Sequence, residues 1–141
     1  MNENMPHSYK FNVSISSHDG SHAFAQARGH EITLNVKKGS GEGGFTAAET
    51  LLAALGACLL TNINAIGAKM HLQIDEARVE FDAERIEDPA SITKLSYRLI
   101  VKSDAPYEKL VELHDLARKW GTVTNTMING LTPEGELVIA S

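Results

Sequence analysis

Apolar and polar positions alternate from Lys10 to Ser16, with Phe11, Val13 and Ile15 on one side, as a half-buried strand requires. Asp19-Gly20 is a two-residue hairpin signal. The return stretch, residues 21–28, sets Ala23, Ala25 and Ala27 on one face and Phe24 on the other. Gly29 punctuates, and Ile32, Leu34 and Val36 make a third alternating strand, so the chain is expected to open as an antiparallel meander. Lys37 to Gly44 reads as a flexible glycine-rich connector; it is neither a Walker A loop nor a dinucleotide fingerprint. The period then changes. Leu51, Leu52, Leu55, Leu59, Leu60, Ile63 and Ile66 recur at helical spacing over a wide arc, which predicts a helix buried on most sides with its first break at Gly67. Thr46 followed by Glu49 is a capping box for its start. Between the leucines lie Ala53, Ala54, Gly56 and Ala57, small enough to let another backbone come close.

Alternation resumes over Leu72–Ile86, with Ile74, Val79 and Phe81 apolar. A turn at 88–91 leads to Lys94–Lys102, where Leu95, Tyr97, Leu99 and Val101 alternate. Pro106 suits a first helical turn, and Leu110, Val111, Leu113, Leu116, Ala117 and Trp120 give a second amphipathic helix ended by Gly121. Residues 122–130 are polar and turn-rich, with no assignable period, and Leu137–Ala140 reads as a short closing strand. The predicted order is βββ-α-ββ-α-β, an α+β class with antiparallel strands.

At 141 residues the chain fits one domain, with a loose start over 1–8. A net charge of -5 argues against a general nucleic-acid binder. Thr61, Asn62 and Asn64 interrupt the central helix, so no membrane span is expected, and MNENMPHSYK lacks the regions of a signal peptide. The lone cysteine rules out an intramolecular disulfide. These features together point to the cytoplasm.

Cys58 is that cysteine, amid the small residues of the central helix. A nucleophilic thiol needs a helix N-terminus, a base or a cation nearby. Cys58 lies twelve residues past the N-cap of its own helix. Glu49 is nine residues back, which at about 100° per residue puts it on the opposite face. The same-face residues Ala54, Leu55, Thr61 and Asn62 include no base. The residues alone therefore read Cys58 as a small buried packing cysteine rather than a nucleophile. The six histidines, His7, His18, His22, His30, His71 and His114, show no metal-ligand spacing, and neither a metal nor another cofactor is expected. A two-residue turn would set His18 opposite Ser21 and His22 on the other face. Glu80, Asp82, Glu84, Glu87 and Asp88 read as a solvated strand face and turn, while Asn125 and Thr126 suit backbone bonding in a turn or a pocket wall.

The stretch FTAAETLLAALGACLLTNINAIGAKM resembles the central helix of the OsmC-like proteins, in which a helix start with proline and glutamate leads through Leu-Leu-x-Ala-Ala to a reactive cysteine. ARVEFDAER, the strand after it, and a helix ending near GTVTNTM extend the resemblance from about Lys10 to Ala140. It implies an intertwined homodimer whose central helices pack together and whose sites form at the interface. It also implies that Cys58 is the peroxidatic thiol of an organic hydroperoxide reductase, assisted by a glutamate, an arginine and a second, resolving cysteine. This chain departs at each supporting position. Ala48 stands where the activating glutamate is expected, with Glu49 one place late; His18 precedes the Asp-Gly turn where an arginine belongs; Gly121 stands for the second cysteine. Cys58, Glu49 and His18 are thus the candidate catalytic residues, with Arg28 a further basic candidate and an external thiol as reductant. The alternative is a non-catalytic homodimer holding a small apolar ligand against Leu55, Leu59, Trp120 and Met127.

Overall fold

The computed structural model describes residues 9–140, so the loose start expected over 1–8 lies outside the described residues. The elements are β1 (Ser14–Ser16), β2 (His22–Ala27), β3 (His30–Asn35), α1 (Ala47–Lys69), β4 (Glu76–Glu87), β5 (Ala90–Lys102), α2 (Tyr107–Lys119) and α3 (Thr122–Asn129). The α+β class with antiparallel strands holds, but the order is βββ-α-ββ-αα. Among the described residues the expected closing strand is absent: Leu137–Ala140 has no strand partner there, and Leu137, Val138 and Ile139 are exposed. The chain divides into two compact units, one ending at Leu51 and the other beginning at Leu52.

In the first unit β1, β2 and β3 form the expected meander. The tight turn is the second one: Ala27 pairs with His30 across Arg28 and Gly29, both at positive φ (52° and 81°), as a mirror-image two-residue turn demands. The first turn is wider than Asp19-Gly20 suggests, because Ser16 pairs with Phe24 and leaves residues 17–21 in the loop. Asp19 is the cause. Its Oδ1 accepts from the backbone N–H groups of Ser21 and His22, both at 2.8 Å, and its Oδ2 meets His22 Nδ1 at 2.9 Å. A carboxylate-capped loop replaces the two-residue turn, and the register moves one place from the expected His18–Ser21 pairing. Nor is the glycine-rich stretch a plain connector. Asn35 is buried; its side-chain amide donates to the Ser40 carbonyl and its Oδ1 accepts from the Lys37 N–H at 2.9 Å. The Asn35 N–H donates to the Phe45 carbonyl at 2.9 Å.

The start of α1 is the capping box read from sequence. Thr46 Oγ1 accepts from the Glu49 N–H at 3.3 Å, and Glu49 Oε1 accepts from the Thr46 N–H at 3.0 Å. The helix does not break at Gly67. It runs to Lys69 and closes at His71, which takes a left-handed φ of 59° while the Leu72 N–H bonds the Gly67 carbonyl at 2.9 Å. That bond occupies the start of the expected next strand, so β4 begins later, at Glu76.

In the second unit α1 buries Leu55, Gly56, Leu59, Ile63 and Gly67. Ile63, Leu113 and Ala117 are the core, wrapped by Ile66, Met70, Leu72, Ile74, Ala77, Leu99 and Leu110. The β4–β5 hairpin pairs Val79 with Leu99 and Phe81 with Tyr97. Gly56 is small because Phe81 is there: a Cβ on it would lie 3.0 Å from the Phe81 ring. Contrary to the expected burial on most sides, one face of α1 is covered within the chain, since the hairpin, α2 and α3 supply packing there alone; Ala53, Ala54, Ala57, Thr61, Ala65 and Ala68 are exposed. On length and composition α1 also qualifies as a membrane-crossing helix, with a mean hydropathy of 1.7 over an 18-residue stretch, so Thr61, Asn62 and Asn64 do not exclude a span on composition.

Candidate functional site around Cys58

The site comes from the corner between α2 and α3, which the sequence left unassigned. α2 ends at Trp120, and the Gly121 N–H turns back to the Arg118 carbonyl at 3.3 Å. α3 then starts with Gly121 as N-cap, and the Asn125 N–H bonds the Gly121 carbonyl at 2.9 Å. The Asn125 side chain donates to the Lys119 carbonyl at 3.1 Å and locks the corner. Asn62 of α1 donates to the Ala117 carbonyl at 3.2 Å, fixing α1 against the end of α2.

This arrangement places Cys58, half-buried on α1, against the first turn of α3. Its Sγ is 3.8 Å from Thr124 Oγ1. A Cβ on Gly121 would lie 2.9 Å from that sulfur and 2.8 Å from Thr124 Oγ1. The φ of Gly121 is -79°, which any residue adopts, so glycine is required here by space rather than by backbone conformation. Sulfur, hydroxyl and helix start fill the volume of the missing side chain.

Next to Thr124 a groove of about 240 Å³ opens between Leu55 and Leu59 of α1, Leu95 and Tyr97 of β5, Arg118 at the end of α2, and Met127 and Ile128 of α3. It is below the usual range for drug-sized ligands, so it suits a small molecule. Its polar end is organised: Tyr97 Oη and His114 Nε2 are 2.7 Å apart, with the rings edge to face. Burial pushes the Tyr97 hydroxyl up. Burial first, and the Arg118 charge second, push the His114 imidazole down. The imidazole tautomer sets which of the two groups donates in this bond. Arg118 is the one charged side chain in the lining, and it forms no ion pair among the described residues. A larger open cleft of about 510 Å³ in the first unit, along residues 12–14 and 26–31, contains no thiol; its side-chain pair is Gln26, which donates to Glu31 at 3.0 Å.

Glu49 is committed to the cap of α1; the Thr46 backbone N–H first, and its hydroxyl second, hold the carboxyl below the usual range. His18 is exposed in the 17–21 loop, and Arg28 sits in the β2–β3 turn. Of the pocket residues expected, Leu55, Leu59 and Met127 line the groove, whereas Trp120 is 64 % exposed with Lys119 Nζ 5.5 Å from its ring. Asn125 and Thr126 bond backbone carbonyls, but from inside helix α3 rather than from the expected turn. Thr124, Tyr97 and Arg118 were not legible as site residues; the one available signal was the position of Thr124 next to Asn125 and Thr126. No group of three potential metal ligands occurs among the described residues.

A model of the family described as OsmC-like protein matches residues 39–135. Among solved structures, an OsmC-like protein from Mycoplasma pneumoniae is similar with a TM-score of 0.79 and 19% identity, over 86% of this chain and 89% of that one. An OsmC-like protein of unknown function from Vibrio cholerae gives 0.70 and 15%, over 84% and 94%. The organic hydroperoxide resistance protein OhrB of Bacillus subtilis gives 0.61 and 17%, over 84% and 90%. At such identities these likenesses carry the fold. No curated protein sequence matches.

Proposed function

The chain belongs to the OsmC-like protein family, and from that footing we propose that it reduces small organic hydroperoxides through Cys58, as part of an oxidative-stress response. The observation that carries this reading is a half-buried thiol on α1 in contact with Thr124 of α3, a residue that also lines a small groove with mostly apolar walls. The sulfur, as thiolate, attacks the terminal peroxide oxygen. An S–O bond forms, the O–O bond breaks, and the alkoxide leaves as alcohol after taking a proton, leaving Cys58 as a sulfenic acid. Gly121 stands beside the sulfur where a resolving thiol is expected, so an external thiol must condense with the sulfenic acid, releasing water. A second external thiol then displaces the resulting mixed disulfide and restores Cys58. Such a reductant suits the cytoplasm. We further propose that the protein works as a homodimer joined along the exposed small-residue face of α1.

The test is stopped-flow oxidation of the purified protein by an alkyl hydroperoxide and by hydrogen peroxide, with the sulfenic acid trapped by dimedone and located by mass spectrometry. Fast reaction selective for the alkyl peroxide is expected. A rate equal to that of free cysteine would overturn the reading.

The second reading, a ligand-binding homodimer without turnover, is favoured by one observation: the Glu49 carboxylate is engaged in capping. It predicts that Cys58→Ser retains binding of a small apolar ligand; absence of any bound species in native mass spectrometry or thermal-shift screening would sink it.

A further inference from the structure

We infer that the Thr124 hydroxyl is the hydrogen-bond donor that sustains negative charge on the Cys58 sulfur; this rests on the thiol chemistry proposed above. Helical threonines ordinarily turn the hydroxyl back on their own helix. Thr50, Thr61 and Thr126 do so, donating to the carbonyl four residues earlier at 2.7, 2.7 and 2.8 Å. Thr124 does not. Its one side-chain hydrogen bond among the described residues is the 3.8 Å contact with Cys58 Sγ. Thr124 is also buried, at 9 % exposed, so water is a poor substitute partner.

A hydroxyl gains little from a neutral thiol, a weak acceptor, and much more from a thiolate, because charge-assisted hydrogen bonds are the strong ones. The same turn of α3 adds to this. Its N-cap, Gly121, has no side chain to receive the free N–H groups of the helix start, and Cys58 Sγ sits beside the position such a side chain would fill. Arg118 lines the same groove, but its charge acts on Tyr97 and His114. Thr124 keeps its proton throughout. The sulfur supplies the electron pair for the new S–O or S–C bond, and the hydroxyl stabilises that sulfur before the bond forms.

The experiment compares Thr124→Val, which keeps the shape without the hydroxyl, with Thr124→Ser, which keeps the hydroxyl. Second-order rate constants are measured with iodoacetamide and with cumene hydroperoxide at one pH, alongside thermal melts. The expected loss is about tenfold in Thr124→Val with both reagents, with Thr124→Ser within about twofold of the wild type. A folded Thr124→Val protein that alkylates at the wild-type rate would overturn the inference. If Thr124→Val fails to fold, Thr124→Ala against Thr124→Ser isolates the same hydroxyl. Should the wild type alkylate readily yet ignore the hydroperoxide, the peroxidase reading falls while alkylation still decides the role of Thr124.

Discussion

Replacing Gly121 with cysteine should let this chain form a disulfide with Cys58. A Cβ at 121 would stand 2.9 Å from Cys58 Sγ, and the carbon-to-far-sulfur spacing across a disulfide is about 3 Å. In the reduced variant the same atom would be 2.8 Å from Thr124 Oγ1, an overpacking that costs about 1–3 kcal/mol. Once oxidised, the bond closes a loop of roughly 64 residues, which restricts the unfolded chain by about 4 kcal/mol. For 141 residues the unfolding entropy is about 0.3 kcal/mol/K, so each kcal/mol moves Tm by about 3 °C. Reduced Gly121→Cys should therefore melt about 3–9 °C below the wild type, and its oxidised form about 12 °C above its reduced form. Intact mass under mild oxidant, thiol titration and melts with and without dithiothreitol measure all three. Two titratable thiols persisting in the folded, oxidant-treated variant would refute the geometry; so would an oxidised form that melts below the reduced one.

Gly67→Ala should stabilise the protein by about 1 kcal/mol, read as a Tm rise of about 3 °C, because an added methyl would meet Ile74 and Leu113 at ordinary contact distances, 3.5 and 3.6 Å, inside a helix where glycine is costly; a lowered Tm would show that the helix packs closer there. Thr46→Ala removes the hydroxyl half of the capping box and leaves the backbone N–H at 46 on Glu49, so it should cost about 1 kcal/mol in chemical denaturation, whereas an unchanged midpoint would mean the helix start is held by other contacts. His114 is kept below the usual imidazole range by burial, then by Arg118, so the unfolded chain takes up its proton first on acidification. Its contribution is full above about pH 6.5 and is lost as pH falls from there through the folded value. Melts of His114→Gln should consequently vary less than the wild type's between pH 7 and 5.

The start of α1 was legible because a capping box is a local device, and Thr46 and Glu49 need only each other. The meander was legible from alternation, but its first register was not, since Asp19 caps two backbone donors and no spacing rule reveals that. α3 was hidden for a related reason. Its sequence, TVTNTMIN, has β-branched residues, no strong apolar period and an N-cap without a side chain, so nothing local announces a helix. Leu137–Ala140 misled in the opposite direction: alternation is necessary for a strand, yet a strand also needs a partner. Leu55, Leu59 and Met127 could be guessed as groove walls from hydrophobicity. Tyr97, Arg118 and Thr124 could not, because their roles depend on where β5, α2 and α3 meet.

The strand pairings described above have a consequence for the order in which the molecule assembles. Among the described residues every strand ladder joins neighbours in the chain, β1 with β2, β2 with β3, and β4 with β5. The hydrogen bonds that create the Cys58 site span far more: 55 residues from Asn62 to Ala117, and 66 from Cys58 to Thr124. Local hairpins close early and distant contacts late, because chain closure is an entropic cost that nearby residues largely escape. Folding is therefore expected to yield both hairpins first and shelter the sulfur last. Pulsed thiol labelling during refolding should find Cys58 protected only in the final phase, after amide hydrogens of β4 and β5 have stopped exchanging. Simultaneous protection would mean that α1 and α3 meet while the hairpins are still forming.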